Sequence, residues 1–183
     1  MDCRADTALS LLTLNRTHTW LGHIATGDVK WISYSNIHLR AQRVDKGTDA
    51  DDVLKLEVHA KKVMLCIWWS VHGVEYWELL DQVYTVIADV YIEQMKNLKT
   101  ILESAHQQQR EVYFQYDNAW SSIARTTKAK LMKFGWAILP HPPYSPDLAP
   151  SDYHLFSYLQ RHLDGQEFQT RDDIKKALEQ FFR

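Results

Sequence analysis

Leu139-Pro140-His141-Pro142-Pro143-Tyr144-Ser145-Pro146-Asp147-Leu148-Ala149-Pro150-Ser151-Asp152-Tyr153-His154-Leu155-Phe156 is the stretch on which the reading of this chain turns. It contains all five prolines of a 183-residue sequence, gathered between Pro140 and Pro150. Each proline fixes φ near about −65° and removes a backbone donor, so the segment is a stiff connector and neither helix nor strand. Trp136 to Leu139, just before it, reads as a short strand. Leu155, Leu159 and Leu163, just after it, recur at helical spacing. Ser151 or Asp147 is placed to cap that helix. The proline segment is therefore a rigid joint that delivers Asp152 to the first turn of a helix.

Working outward, Glu111 to Tyr116 is a strand rich in Val, Tyr and Phe that ends at Asp117-Asn118, and Ile123, Thr127, Leu131 and Phe134 mark an amphipathic helix stopping near Gly135. Tyr91, Met95, Leu98, Leu102 and Ala105 form one stripe of an earlier helix. Val63 to Trp69 is apolar on both faces, as suits a central strand, and Gly73 turns the chain into a partner strand over Val74 to Leu80. Between Leu21 and Tyr34 the Gly27-Asp28 pair suggests strand, bend, strand. Residues 45–60 are polar and acidic, with Asp49, Asp51 and Asp52 close together, and read as a solvated loop. Thr170 and Asp173 form a capping box that opens a last helix through Ile174, Leu178 and Phe181. Residues 1–20 read as an N-terminal helix ahead of a core over 21–183. The order of elements indicates one α/β layer domain with a mixed sheet flanked by helices.

Composition sets the outer limits. With 45% hydrophobic and 24% charged residues the chain can bury a core, which excludes disorder. Its net charge of −2 gives no global positive field for nucleic acid, so any such contact comes from local patches. The longest apolar run, Val63 to Trp69, is far shorter than the roughly 20 residues of a membrane helix. No secretion signal opens the chain, which reads as soluble and intracellular. Cys3 and Cys66 make neither a disulfide framework nor a cysteine-based zinc site, and Cys66 lies where a buried thiol is expected.

Three aspartates stand at comparable joints: Asp28 at the end of the first strand, Asp117 after a later strand, and Asp152 in the first turn of the helix after the prolines. Asp is also common in turns and caps, so the positions alone do not decide. If the three meet at one sheet edge, their mutual repulsion calls for a cation, and hard oxygen ligands suit Mg²⁺ or Mn²⁺. Two such ions about 3.5–4 Å apart support in-line phosphoryl displacement. Trp68-Trp69 reads as core, with base stacking as the sharper reading. Arg125, Lys128, Lys130 and Lys133 form either a phosphate track or an ordinary solvated helix face. His141 reads as a structural hydrogen-bonding group. His154, beside the third aspartate, could orient a carboxylate or a phosphate.

Thr26-Gly27-Asp28-Val29-Lys30-Trp31, Lys61 to Trp69, Tyr116-Asp117-Asn118-Ala119 and the opening stretch resemble, in that order, the conserved blocks of the catalytic domain of mariner transposases. The 34 residues between Asp117 and Asp152 match the family's spacing. The resemblance runs from about Arg4 to Phe182. It implies an RNase H-like fold in which Asp28, Asp117 and Asp152 hold two Mg²⁺ or Mn²⁺ ions, and it implies cleavage of transposon ends and their joining to target DNA in the nucleus. Lys30, Arg125, Lys128 and His154 are the DNA contacts to expect. The family's helix-turn-helix domains and dimer linker precede the region matched here, so binding by this segment is expected to be weak and non-specific, with a homodimer left open. Some positions depart from the pattern. Val29 stands where the family usually has Glu, Arg43 where it has Trp, and Trp120-Ser121-Ser122-Ile123 where Arg-Pro-His-Thr is usual. The loop that is normally rich in Pro and Lys is acidic here. These departures frame the alternative of a catalytically inactive, transposase-derived binding module. A ribonuclease H acting on hybrids shares the fold but lacks the proline block.

Overall fold

The computed structural model describes residues 3–17, 21–37, 60–80, 88–105, 111–116, 127, 129–141, 145 and 151–183, with backbone alone at 3, 4, 14–17, 21, 88, 116, 152 and 153. Residues 45–59 of the acidic loop, Asp117, Arg125, Lys128 and most of the proline joint lie outside this set. Helix α1 (Cys3–Thr17) occupies the place of the expected N-terminal helix. Five strands follow: β1 (Ile24–Ser33), β2 (Lys62–Ser70), β3 (Gly73–Leu80), β4 (Tyr113–Tyr116) and β5 (Ala137–Ile138). Helix α2 (Ala88–Ala105) joins β3 to β4. A π-wound turn, Ser151–Phe156, runs directly into α3 (Ser157–Leu163), and α4 (Arg171–Phe181) closes the chain.

The sheet order is β3-β2-β1-β4-β5; β1 and β3 are antiparallel to β2, while β4 is parallel to both β1 and β5. Because both faces of the sheet are covered, β2 is apolar on both, as its sequence suggested. Met64, Cys66 and Trp68 join one buried cluster with Met95, Leu98 and Leu102 of α2. Val63, Leu65 and Ile67 join a second with Leu159 and Leu163 of α3 and Ile174 and Leu178 of α4. Residues 127 and 129–133 are helical; Thr127 and Leu131 are buried, and Gly135 ends the helix with φ +79°. Ala105, the last position of the α2 stripe and the last residue of the helix, is exposed.

The capping box of α4 forms as its sequence indicates. Asp173 N–H donates to Thr170 Oγ1 at 3.2 Å, and Thr170 N–H returns a bond to Asp173 Oδ2 at 2.8 Å. Donation to the carboxylate from the Thr170 backbone N–H, and less strongly from the Thr170 hydroxyl, holds the Asp173 carboxyl below its usual range.

Two local expectations are corrected. The segment from Leu21 to Tyr34 does not bend at Gly27-Asp28: after a short 3₁₀ turn at Leu21–His23, β1 runs unbroken, and Asp28 is the fifth of its ten residues instead of the last. Gly27 is paired on both sides, with Trp68 of β2 and Tyr116 of β4, and two ladders outweigh the local turn preference of a Gly-Asp pair. Ser151 does not precede the helix as a cap. It is the first helical residue, and its hydroxyl accepts a hydrogen bond from the Trp69 indole at 3.0 Å. Asp147, the other cap considered, lies outside the described residues.

Candidate metal centre

Alternation along β1 sorts its side chains. Ala25 lies in the α2-side cluster and Val29 packs against it, whereas Ile32 lies in the cluster of α3 and α4. Thr26, Asp28 and Lys30 share the face of Ile32. Lys30 confirms this, since its ammonium sits 5.4 Å from the centroid of the Phe156 ring in the π turn. Asp28 is half-buried there, and Val29 N–H donates to its Oδ1 at 2.7 Å. A backbone donor on one carboxylate oxygen restrains the orientation of the group.

The neighbouring strand brings a second aspartate into view. β4 pairs in parallel with the first half of β1, with Thr26 opposite Gln115 and Gly27 opposite Tyr116. Asp117 follows Tyr116 in the chain as Asp28 follows Gly27, although Asp117 itself is outside the described residues. Gly27 has to be glycine at this crossing, because a Cβ there would lie 2.2 Å from Trp68 Cδ1.

The third aspartate belongs to the π turn, which packs on β1. Ser151 is buried and takes its bond from Trp69, and Trp69 pairs with Thr26 two residues before Asp28. Asp152 is the next residue after Ser151, with helical backbone. Its side chain is outside the described set. Among the described residues no group of three His, Cys, Asp or Glu side chains could hold a metal ion, since only Asp28 of the three aspartates is described to its carboxylate.

The remaining expected residues fall as follows. Trp68 is core, 1% exposed and stacked on Tyr76. His141 is buried, with Nδ1 3.4 Å from the Gln115 amide nitrogen, which is the structural role its sequence suggested. His154 is exposed, and Lys30 is half-buried against Phe156. Lys130 is half-buried near the Phe134 ring and Lys133 is exposed. Cys66 lies at the back of the sheet; burial pushes its thiol up to about 12, with an opposing hydrogen bond from Gln94 and a smaller contribution from the Glu78 charge. Sequence reasoning missed the Trp69–Ser151 bond, which joins residues 82 apart. The only trace of it was the second tryptophan of a pair, whose alternation turns it away from the buried face of the first.

A family model described as transposase (partial DDE domain) matches residues 33–112. Over its whole length the chain is 38% identical to the mariner Mos1 transposase of Drosophila mauritiana, of which it spans 54%. It also matches the crystal structure of the catalytic domain of Mos1 mariner transposase with a TM-score of 0.78 and 37% identity, covering 98% of this chain and 78% of that one. The chain belongs to the mariner transposase family. Its mixed sheet with helices on both faces is the RNase H-like fold of the mariner catalytic domain. The Mos1 mariner paired end complex with Mn matches with a TM-score of 0.88 at 40% identity, over 98% of this chain and 53% of that one. This mariner relative thus spans about half the length of full-size Mos1 transposase.

Proposed function

We propose that this chain is the catalytic domain of a mariner-type transposase, a metal-dependent DNA endonuclease and strand transferase acting in the nucleus on transposon ends and target DNA through Asp28, Asp117 and Asp152. The observation that carries this reading is the parallel register Gly27 to Tyr116, which sets the residues preceding two of the aspartates side by side, with the turn that bears the third packed on the same strand.

The donor set fits hard divalent cations: three carboxylates from three separate segments, one of them half-buried and oriented by a backbone N–H. Asp28, Asp117 and Asp152 would hold two Mg²⁺ or Mn²⁺ ions, which when bound supply activation of the attacking oxygen and neutralisation of the leaving one. The protein's own part is geometric. β1 fixes Asp28 at the middle of a sheet paired on both sides, and the π turn presents Asp152 at a helix start. Lys30, Arg125, Lys128 and His154 are the groups proposed to meet phosphates, and the acidic loop over 45–60 keeps non-specific affinity low. A homodimer is compatible with this role.

The rival reading, an inactive transposase-derived module, draws on the departures from the family pattern. Val29 weakens it at one position. This side chain packs against the α2-side core, on the opposite face from Asp28, so an apolar residue there serves packing and leaves the carboxylate's surroundings intact. The deciding experiment is plasmid nicking in Mn²⁺: the parent chain nicks, and Asp152→Asn, which keeps the shape and removes the charge, lowers the rate at least about a thousandfold, or about 4 kcal/mol of barrier. Equal nicking by both proteins would overturn the proposal.

A further inference from the structure

We infer that Trp69 is a positioning residue for the third carboxylate, setting the start of the π turn through its hydrogen bond to Ser151. This inference rests on the metal-binding reading above and goes beyond it by naming a group outside the three aspartates. Trp69 Nε1 donates to Ser151 Oγ at 3.0 Å; Ser151 is 1% exposed and is the residue before Asp152. Trp69 lies on the face of β2 that carries Ile67, the partner of Asp28 in the antiparallel ladder, and pairs with Thr26. One indole therefore links the strand position opposite Thr26, two residues before Asp28 on the same face, to the residue beside Asp152.

The direction of the indole is set by the strand. The β2–β3 register shifts between Trp68 and Trp69, where Tyr76 and Val74 are the successive partners and Glu75 is left over. The extra residue belongs to β3, so β2 keeps its alternation, with Trp68 opposite Gly27 and Trp69 opposite Thr26, and the Trp69 indole turns to the face opposite Trp68. The far end of the turn is held as well, by Lys30 over the Phe156 ring. Ser151 and Phe156 bound the segment, and π winding of a single turn is uncommon enough that it needs such external restraints to persist. With one end tied to β2 and the other to β1, the backbone at Asp152 has little freedom left. A carboxylate that must meet a cation at a fixed distance gains affinity from that restraint, because less ordering remains to be done on binding.

The test is isothermal titration of Mn²⁺ into the full chain, with metal-free thermal melting alongside. Trp69→Phe keeps an aromatic ring, smaller than indole, and removes the donor; Ser151→Ala removes the hydroxyl, and serves if the tryptophan variant fails to fold. Each single variant is expected to weaken Mn²⁺ binding about fivefold, and the double variant no further than either single, since both delete the same bond. A purely structural role would lower the metal-free melting temperature and leave Mn²⁺ affinity unchanged, and that result overturns the inference. Additive losses in the double variant overturn it too. If the parent chain itself takes up no Mn²⁺, the metal-binding reading falls and this inference with it. Parental affinity that vanishes in Asp152→Asn but persists in Trp69→Phe and Ser151→Ala sinks this inference alone.

Discussion

Gly27 has no room for a side chain. A Cβ would stand 2.2 Å from Trp68 Cδ1 and 2.3 Å from its Nε1, and Trp68 cannot swing aside because it is 1% exposed and stacked on Tyr76. Gly27→Ala is therefore expected to cost about 1–3 kcal/mol by overpacking, read as a fall in the urea midpoint, and to displace the backbone at Asp28. A midpoint equal to the parent's would mean that the crossing relaxes without strain. Cys66 makes a separate case at the same scale. Its thiol is raised from 9.0 to about 12 by burial, so the folded protein holds the proton where the unfolded chain has lost it. The stability this contributes is complete below the unfolded pKa and is lost as the pH climbs from about 9 toward about 12. Cys66→Ala should flatten that alkaline decline in melting temperature, compared between about pH 8 and about pH 10.5. An unchanged slope would assign the decline to other groups, of which Tyr76, also raised chiefly by burial, is the nearest.

At the scale of elements, legibility followed the period of the apolar pattern. β2 was readable because burial on both faces leaves a continuous apolar run, and α2 because Met95, Leu98 and Leu102 recur along one buried stripe. The capping box was readable because its chemistry lies within four residues. Thr170→Ala should lower stability by about 1 kcal/mol in denaturant titration, since α4 carries Ile174 and Leu178 into the core and its first turn would lose a satisfied donor. No change would mean that other contacts of α4, such as the Arg171 guanidinium donating to the Leu79 carbonyl, suffice to hold its start. What could not be read locally were the features decided by partners distant in sequence. The continuity of β1 depends on ladders that pair Gly27 with Trp68 and Tyr116, 41 and 89 positions away, which override a Gly-Asp pair that by itself signals a turn. The two ends of Ser151–Phe156 contact Trp69 and Lys30, both distant in sequence, and no helical pattern in Leu155, Leu159 and Leu163 carries that information.

At the scale of the whole molecule, one sheet carries two cores, and the candidate site lies where the parallel and antiparallel halves meet at β1. The aspartates were legible as residues from their family blocks, whereas the register that sets Gly27 opposite Tyr116, the residues before Asp28 and Asp117, was not, because strand pairing joins segments that the chain keeps about ninety residues apart. Net charge takes on a different meaning in this setting. An overall charge of −2 does not oppose a DNA substrate if its local concentration of carboxylate at β1 awaits divalent cations. On the proposed metal-binding reading, the carboxylates would repel one another before metal binds and leave the site less stable than an uncharged isostere would be. Asp28→Asn is thus expected to raise the metal-free melting temperature slightly while abolishing the rise that Mn²⁺ produces in the parent, because only a ligand bound to the native state shifts the midpoint. Paired melting curves with and without Mn²⁺ separate the two effects. A variant that melts lower without metal and still responds to it would show that Asp28 serves the fold and not the cation. Opposite signs for the two curves are what the proposed reading requires, in which the sheet would hold its charges together for binding and give up some stability of its own to do so.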